Sequence, residues 1–118
     1  MRASRAEILI EEILKDNNIV FEQEYTMPGL AAENGTPLRF DFAVFDDDGN
    51  IDFFIEYQGR QHYEAVSKFG GRSGLAAQQH NDRKKLRYCE LNGYKLVVIP
   101  YTEEKLITYD YILRKAGY

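Results

Sequence analysis

Two strand-patterned runs separated by five turn-forming residues set the strongest limit on this fold. In the first, Leu38, Phe40, Phe42 and Val44 alternate with Arg39, Asp41, Ala43 and Phe45; in the second, Ile51 to Gln58, Asp52, Phe54, Glu56 and Gln58 share a face. The tract Asp46-Asp47-Asp48-Gly49-Asn50 between them reads as a hairpin turn rather than a calcium loop, because the downstream ligands of such a loop are missing. Hairpin pairing predicts one polar cluster of Asp41, Glu56 and Gln58 at the end of the sheet away from the turn.

The flanking sequence supplies the other elements. Ala6, Leu9, Ile10, Ile13 and Leu14 recur at helical spacing after Ser4, an N-cap whose capping-box partner is Glu7. Ile19 to Tyr25 reads as a strand broken by Met27-Pro28-Gly29, and residues 28 to 37 as a surface loop. Residues 60 to 74, with Gly70, Gly71 and Gly74, are expected to form a loop over a bound polymer. Leu75 to Leu91 reads as a helix closed by Asn92-Gly93, Tyr94 to Ile99 as a strand stopped by Pro100, and the tail from Thr102 to Ala116 as a helix capped by Thr102.

The order helix, three strands, helix, strand, helix predicts a single α/β (α+β) domain over residues 1–118. Its mixed sheet should hold an antiparallel meander and a parallel fourth strand, with helices on both faces. A chain of 118 residues supports one core of modest size. Apolar residues at 44% and charged residues at 29% fit a globular class, with nine Tyr, seven Phe and no Trp for the core.

The lone Cys89 excludes an internal disulfide or a cysteine-based zinc site, and Met1 to Glu7 lacks the apolar run of a signal peptide. A cytoplasmic protein without a membrane partner is expected. The net charge of -4 is unusual for a nucleic-acid binder. Carboxylates concentrated around metal ions reconcile an acidic total with a basic rim, for which Arg39, Arg60, Lys68, Arg72, Arg83 and Lys84 are the candidates.

A carboxylate inside a Phe- and Ile-rich strand is costly to bury without a compensating cation, and two facing carboxylates raise that cost. Oxygen donors suit Mg²⁺ or Mn²⁺, so Asp41 and Glu56 are the expected metal ligands. Several of these residues also have plain structural readings: Asp41 paired with Arg39, Glu7 serving only as a cap, His62 as a loop histidine, and His80 as an exposed helix residue. On the second helix, Asp82, Lys85 and Cys89 are spaced to share a face, with Gln78 a turn earlier.

The Asp41 strand, the Glu56-Tyr57-Gln58 strand end and the element order together resemble the PD-(D/E)xK nuclease superfamily of the restriction-endonuclease-like fold. Within it, the likeness is closest to very short patch repair-like proteins and EDxHD phage homing endonucleases. It rests on Leu38 to Phe42, Ile55 to Tyr63, Gln78 to Lys85 and Asn92 to Leu96. The resemblance implies a metal-dependent DNA endonuclease with a homing or mobile-element role. A repair or junction nuclease and a non-catalytic nucleic-acid-binding module of the same fold are the alternatives.

Residue by residue, the resemblance makes Asp41 the central metal ligand, Glu56 the second, Glu7 the leading acid, His62 the motif histidine and Asp82 the final acid. Gln58 stands where Lys is usual; it can position water but supplies no cation. His62 as general base and Lys85 as the source of positive charge are expected to make up the difference. Specificity is expected from the loops, a partner, or a second copy of the chain in a homodimer.

Overall fold

The computed structural model describes residues 4–118. Met1 to Ala3, where part of the expectation about the chain's start falls, lie outside the described residues. The order is α1 (Arg5–Asp16), β1 (Val20–Ala31), β2 (Pro37–Phe45), β3 (Ile51–Gln58), α2 (Gly71–Asn92), β4 (Lys95–Pro100) and α3 (Tyr109–Lys115). The four strands form one mixed sheet in the order β1-β2-β3-β4. β1, β2 and β3 are antiparallel neighbours and β4 joins β3 in parallel, as the sequence predicts.

Local chemistry accounts for the boundaries. The Ser4 hydroxyl accepts from Glu7 N at 3.2 Å and Ser4 N donates back to Glu7 Oε1 at 3.4 Å, which makes the expected capping box. The β2–β3 hairpin closes on an Asx turn in which Asp46 Oδ1 accepts from Asp48 N and Asn50 N, while Gly49 takes φ 82°.

Three boundaries differ from expectation. β1 runs through Met27-Pro28-Gly29 to Ala31, so the predicted loop of 28 to 37 shrinks to residues 32–36. β1 is an edge strand, and a proline there removes a donor that need not serve the ladder. The expected loop of 60 to 74 carries 3-10 turns at Arg60–His62 and Ser67–Phe69, and α2 begins at Gly71 rather than Leu75. The tail is a 3-10 segment, Tyr101–Leu106, followed by α3, whose N-cap is Thr108 and not Thr102. The Thr108 hydroxyl accepts from Tyr111 N at 3.1 Å.

The sheet lies between two apolar layers. On one side Ile10 and Leu14 of α1, Ile112 of α3 and Ile107 pack against Phe42, Val44, Phe53, Ile55, Val97 and Ile99. On the other, Cys89 of α2 packs with Leu30, Phe40, Ala43 and Phe54. Phe40 and Phe54 stack with centroids 3.9 Å apart.

Side-chain alternation slips at one level of this sheet. Phe42 and Phe40 have the same parity yet enter opposite layers, as do Phe21 and Tyr25 in β1. The slip falls at Asp41 and at Glu24, which lies between the Gln23–Phe42 and Tyr25–Phe40 pairs with left-handed backbone, φ 52°. A local kink that breaks the two-residue period re-aims the side chain it carries.

Candidate active site

Asp41 sits where β2 and β3 begin to part, one residue beyond the Phe42–Ile55 pair. Its carboxylate takes the place of a ladder acceptor: Tyr57 N donates to Asp41 Oδ2 at 2.7 Å, and Asp41 N donates to Glu56 Oε1 at 3.2 Å. These crossed bonds hold the two acids side by side. Lys85 reaches them from α2, its Nζ donating to the same Glu56 oxygen at 3.1 Å and standing 5.9 Å from the Phe40 ring centroid.

Glu56 and Lys85 are both buried, 3% and 8% exposed. Burial, and then the neighbouring Asp41 charge, push the Glu56 carboxyl well above the usual carboxylate range against the pull of Lys85. Burial likewise raises Asp41 to about 6, with Glu7 adding to the rise and the Tyr57 hydrogen bond, Lys85 and His62 opposing it. The charge balance at Asp41 thus favours the arrival of a cation.

His62 follows in the 3-10 turn after β3 and is 9% exposed. Its Nδ1 lies 2.9 Å from Asp82 Oδ2, and Gln78 Nε2 donates to Asp82 Oδ1 at 3.2 Å. An ionised carboxylate can only accept, so Nδ1 carries the hydrogen and donates to Asp82, which leaves Nε2 as the nitrogen able to accept a proton. Glu7, Asp41, Tyr57, His62 and Gln78 line one cleft of about 590 Å³, so α1, the sheet and α2 all contribute to it. Glu7 therefore holds its cap and faces the cleft as well.

Other expected residues fall elsewhere. Gln58 does not join Asp41 in the cleft; its Oε1 accepts from Tyr63 Oη at 2.6 Å, and it lines a smaller groove with Glu56, Asp82 and Lys85. The slip at Asp41 explains this, since the predicted common face assumed unbroken alternation.

Arg39 pairs with Glu24 at 3.3 Å, and not with Asp41. Arg60 pairs with Glu64 at 3.6 Å. Lys84 is turned to the β1–β2 turn, donating to Ala31 O at 2.7 Å beside Glu33. His80 is exposed as expected, and its Nε2 lies 2.8 Å from Glu33 Oε1. Lys68 stands over the Phe69 ring, while Arg72 and Arg83 form no salt bridge among the described residues. Half of the expected rim, Arg39, Arg60 and Lys84, is thus engaged by local acids.

Gln23, Glu24, Gln61 and Phe69, for which the sequence predicts no role, also line the cleft. Glu24 carries no sequence signal beyond facing Asp41 across the β1–β2 pair. Gln78 has one, its position a helical turn before Asp82.

Oxygen donors dominate the cleft. Among the described residues no three His, Cys, Asp or Glu side chains converge into a closed metal cage. Mg²⁺ does not need one, because it keeps several waters and binds through one or two carboxylates with substrate phosphate. The hydrogen bonds above use Oδ2 of Asp41 and leave its other oxygen in the cleft for such an ion, whereas Glu56 stands beside Asp41 but lines the smaller groove with Gln58.

Comparison with known proteins finds viral relatives. The chain is similar to uncharacterized protein 094L of Frog virus 3 (isolate Goorha), 49% identical over 57 residues, which cover 47% of this chain and 37% of that protein. It is also similar to uncharacterized protein 307L of Invertebrate iridescent virus 6, 36% identical over 66 residues, 54% of this chain and 34% of that protein. Uncharacterized protein 033L of Invertebrate iridescent virus 3 is 46% identical over 50 residues, 41% of this chain and 25% of that protein. The matches thus span about a third or less of the curated relatives. No family model and no solved structure matches the chain. No described helix is long and apolar enough to cross a membrane.

Proposed function

We propose that this chain is a metal-dependent endodeoxyribonuclease domain of the restriction-endonuclease-like kind, hydrolysing phosphodiester bonds in the cleft between α1, the sheet and α2. One observation carries the reading: a His62–Asp82 pair opens onto the same cleft as the half-buried Asp41 carboxylate, with a Lys85–Glu56 ion pair beside it. Asp41 and Glu56 would hold Mg²⁺ or Mn²⁺. Such an ion, when bound, supplies Lewis-acid polarisation of a phosphodiester oxygen and neutralises charge on the phosphate.

The protein groups supply the rest. His62 Nε2 accepts the proton of the attacking water as the new P–O bond forms and the old one breaks, and Asp82 steadies the resulting imidazolium. Lys85 offsets negative charge where Gln58 brings none. Lys68 and Arg72, on either side of the cleft-lining Phe69, suit contacts to flanking phosphates.

The experiment is incubation with supercoiled plasmid, with and without Mg²⁺ or Mn²⁺. Nicked or linear product is expected from the wild type only with metal, and none from Asp41→Asn. Equal cleavage by that variant, or no cleavage by the folded wild type, overturns the reading. A non-catalytic DNA-binding module is favoured by one feature, the engagement of Glu56 by Lys85. On that account DNA binding persists without any effect of Mg²⁺ or Mn²⁺ on the Asp41 cluster.

A further inference from the structure

We infer that Gln78 is a positioning residue that fixes the tautomer of His62 through Asp82. This rests on the nuclease reading only for its catalytic consequence. The geometry is a three-member chain in which Gln78 Nε2 donates to Asp82 Oδ1 at 3.2 Å and Asp82 Oδ2 lies 2.9 Å from His62 Nδ1. Gln78 and Asp82 are four residues apart on α2, where side chains of neighbouring turns meet.

Each oxygen of Asp82 thus has its own partner, and this removes a freedom the carboxylate would otherwise have. An aspartate held on one oxygen alone can turn its carboxylate away from the ring, and Nδ1–H then loses its acceptor. With Oδ1 tied to the amide, Oδ2 is kept as an acceptor for Nδ1–H. A hydrogen bond at one ring nitrogen decides which nitrogen carries the proton, so Nε2 is left with its lone pair in a residue that lines the Asp41 cleft.

The next residue supplies a contrast. Gln79 Nε2 donates to the main-chain oxygen of His62 at 3.3 Å, so it holds the 3-10 turn and not the ring. Two successive glutamines therefore anchor one histidine in different ways, and their substitutions separate orientation of the imidazole from placement of the backbone.

The test is nitrogen NMR of the His62 ring, at a pH where it is neutral, in the wild type, Gln78→Met, Gln78→Asn and Gln79→Met. Methionine keeps the length of the side chain without its donor, and asparagine keeps the amide but is too short to reach. The wild type is expected to show the Nδ1–H tautomer, and both Gln78 variants a mixture with Nε2–H, whereas Gln79→Met keeps the wild-type pattern. With cleavage established, either Gln78 variant should lower kcat about ten- to a hundredfold with little change in KM, the usual scale for a partner that orients a reacting group.

A wild-type tautomer preserved in a folded Gln78 variant overturns the inference, as does an Nε2–H wild type. The tautomer shift in a protein that cleaves nothing upholds the positioning role and removes the nuclease reading.

Discussion

Asp41 is held in a conflict that its neighbours only partly relieve. Its carboxyl, raised from 3.8 to about 6 chiefly by burial, is more easily protonated in the folded chain than in the unfolded one. Its contribution to stability is fully present below pH 3.8 and is lost as the pH rises through about 6. Asp41→Asn keeps an oxygen to accept from Tyr57 N and removes the charge. In metal-free protein the variant is expected to be the more stable at pH 8, by up to about 3 kcal/mol at 1.36 kcal/mol per pKa unit, with no advantage near pH 3.5. Thermal melts at the two pH values check this, and a variant less stable at both would contradict it. At this scale the sequence was informative where chemistry is local: Ser4 and Glu7 announce their capping box, and Asp82 and Lys85 their shared helix. The resemblance set His62 and Asp82 in one site, but the residues alone did not show their contact, which depends on a 3-10 turn bringing a loop residue to a helix 20 positions away.

The boundaries of the elements were harder to read than their order. Met27-Pro28-Gly29 carries strong breaker chemistry, but on an edge strand that chemistry disrupts no second ladder, and β1 continues. Thr102 and Thr108 are both plausible caps, yet the 3-10 segment after Pro100 delays the helix to the second. α2 starts early because of Gly74. A Cβ at that position would fall 1.8 Å from the Phe69 carbonyl oxygen, which is backbone and cannot swing aside. Gly74→Ala is therefore expected to unwind the first turn of α2 and move Phe69 in the cleft, costing about 1–3 kcal/mol as overpacking does. Denaturant melts measure the loss, and amide exchange over residues 70–75 should rise before that of the rest of α2. Unchanged melts and exchange would show that the close approach is relieved cheaply.

Across the whole molecule, the Lys85–Glu56 pair is an ionic contact between the α2 layer and the sheet, in the layer where Phe40, Phe54 and Cys89 pack. Removing one partner of a buried pair strands the other charge. Lys85→Met is expected to cost about 3–5 kcal/mol, and the double variant with Glu56→Gln clearly less than the sum of the singles. A double-mutant cycle from urea melts gives the coupling, and strict additivity would deny that the pair acts as a unit. The mixed sheet between helical layers was legible from the sequence because its hairpin and its long crossover leave few arrangements. The change of face at Glu24 and Asp41 was not, since alternation of apolar residues cannot report its own interruption. That interruption also bears on where the chain tolerates a change of length. An extra residue inserted in β1 or β2 between the kink and the turn at 32–36 would exchange the inward and outward faces of the outer ribbon, and Leu30 and Phe40 would lose their places beside α2. The same residue added within 32–36 would leave both faces as they are, so that short turn, and not the strands it joins, is where the protein can lengthen without disturbing Asp41.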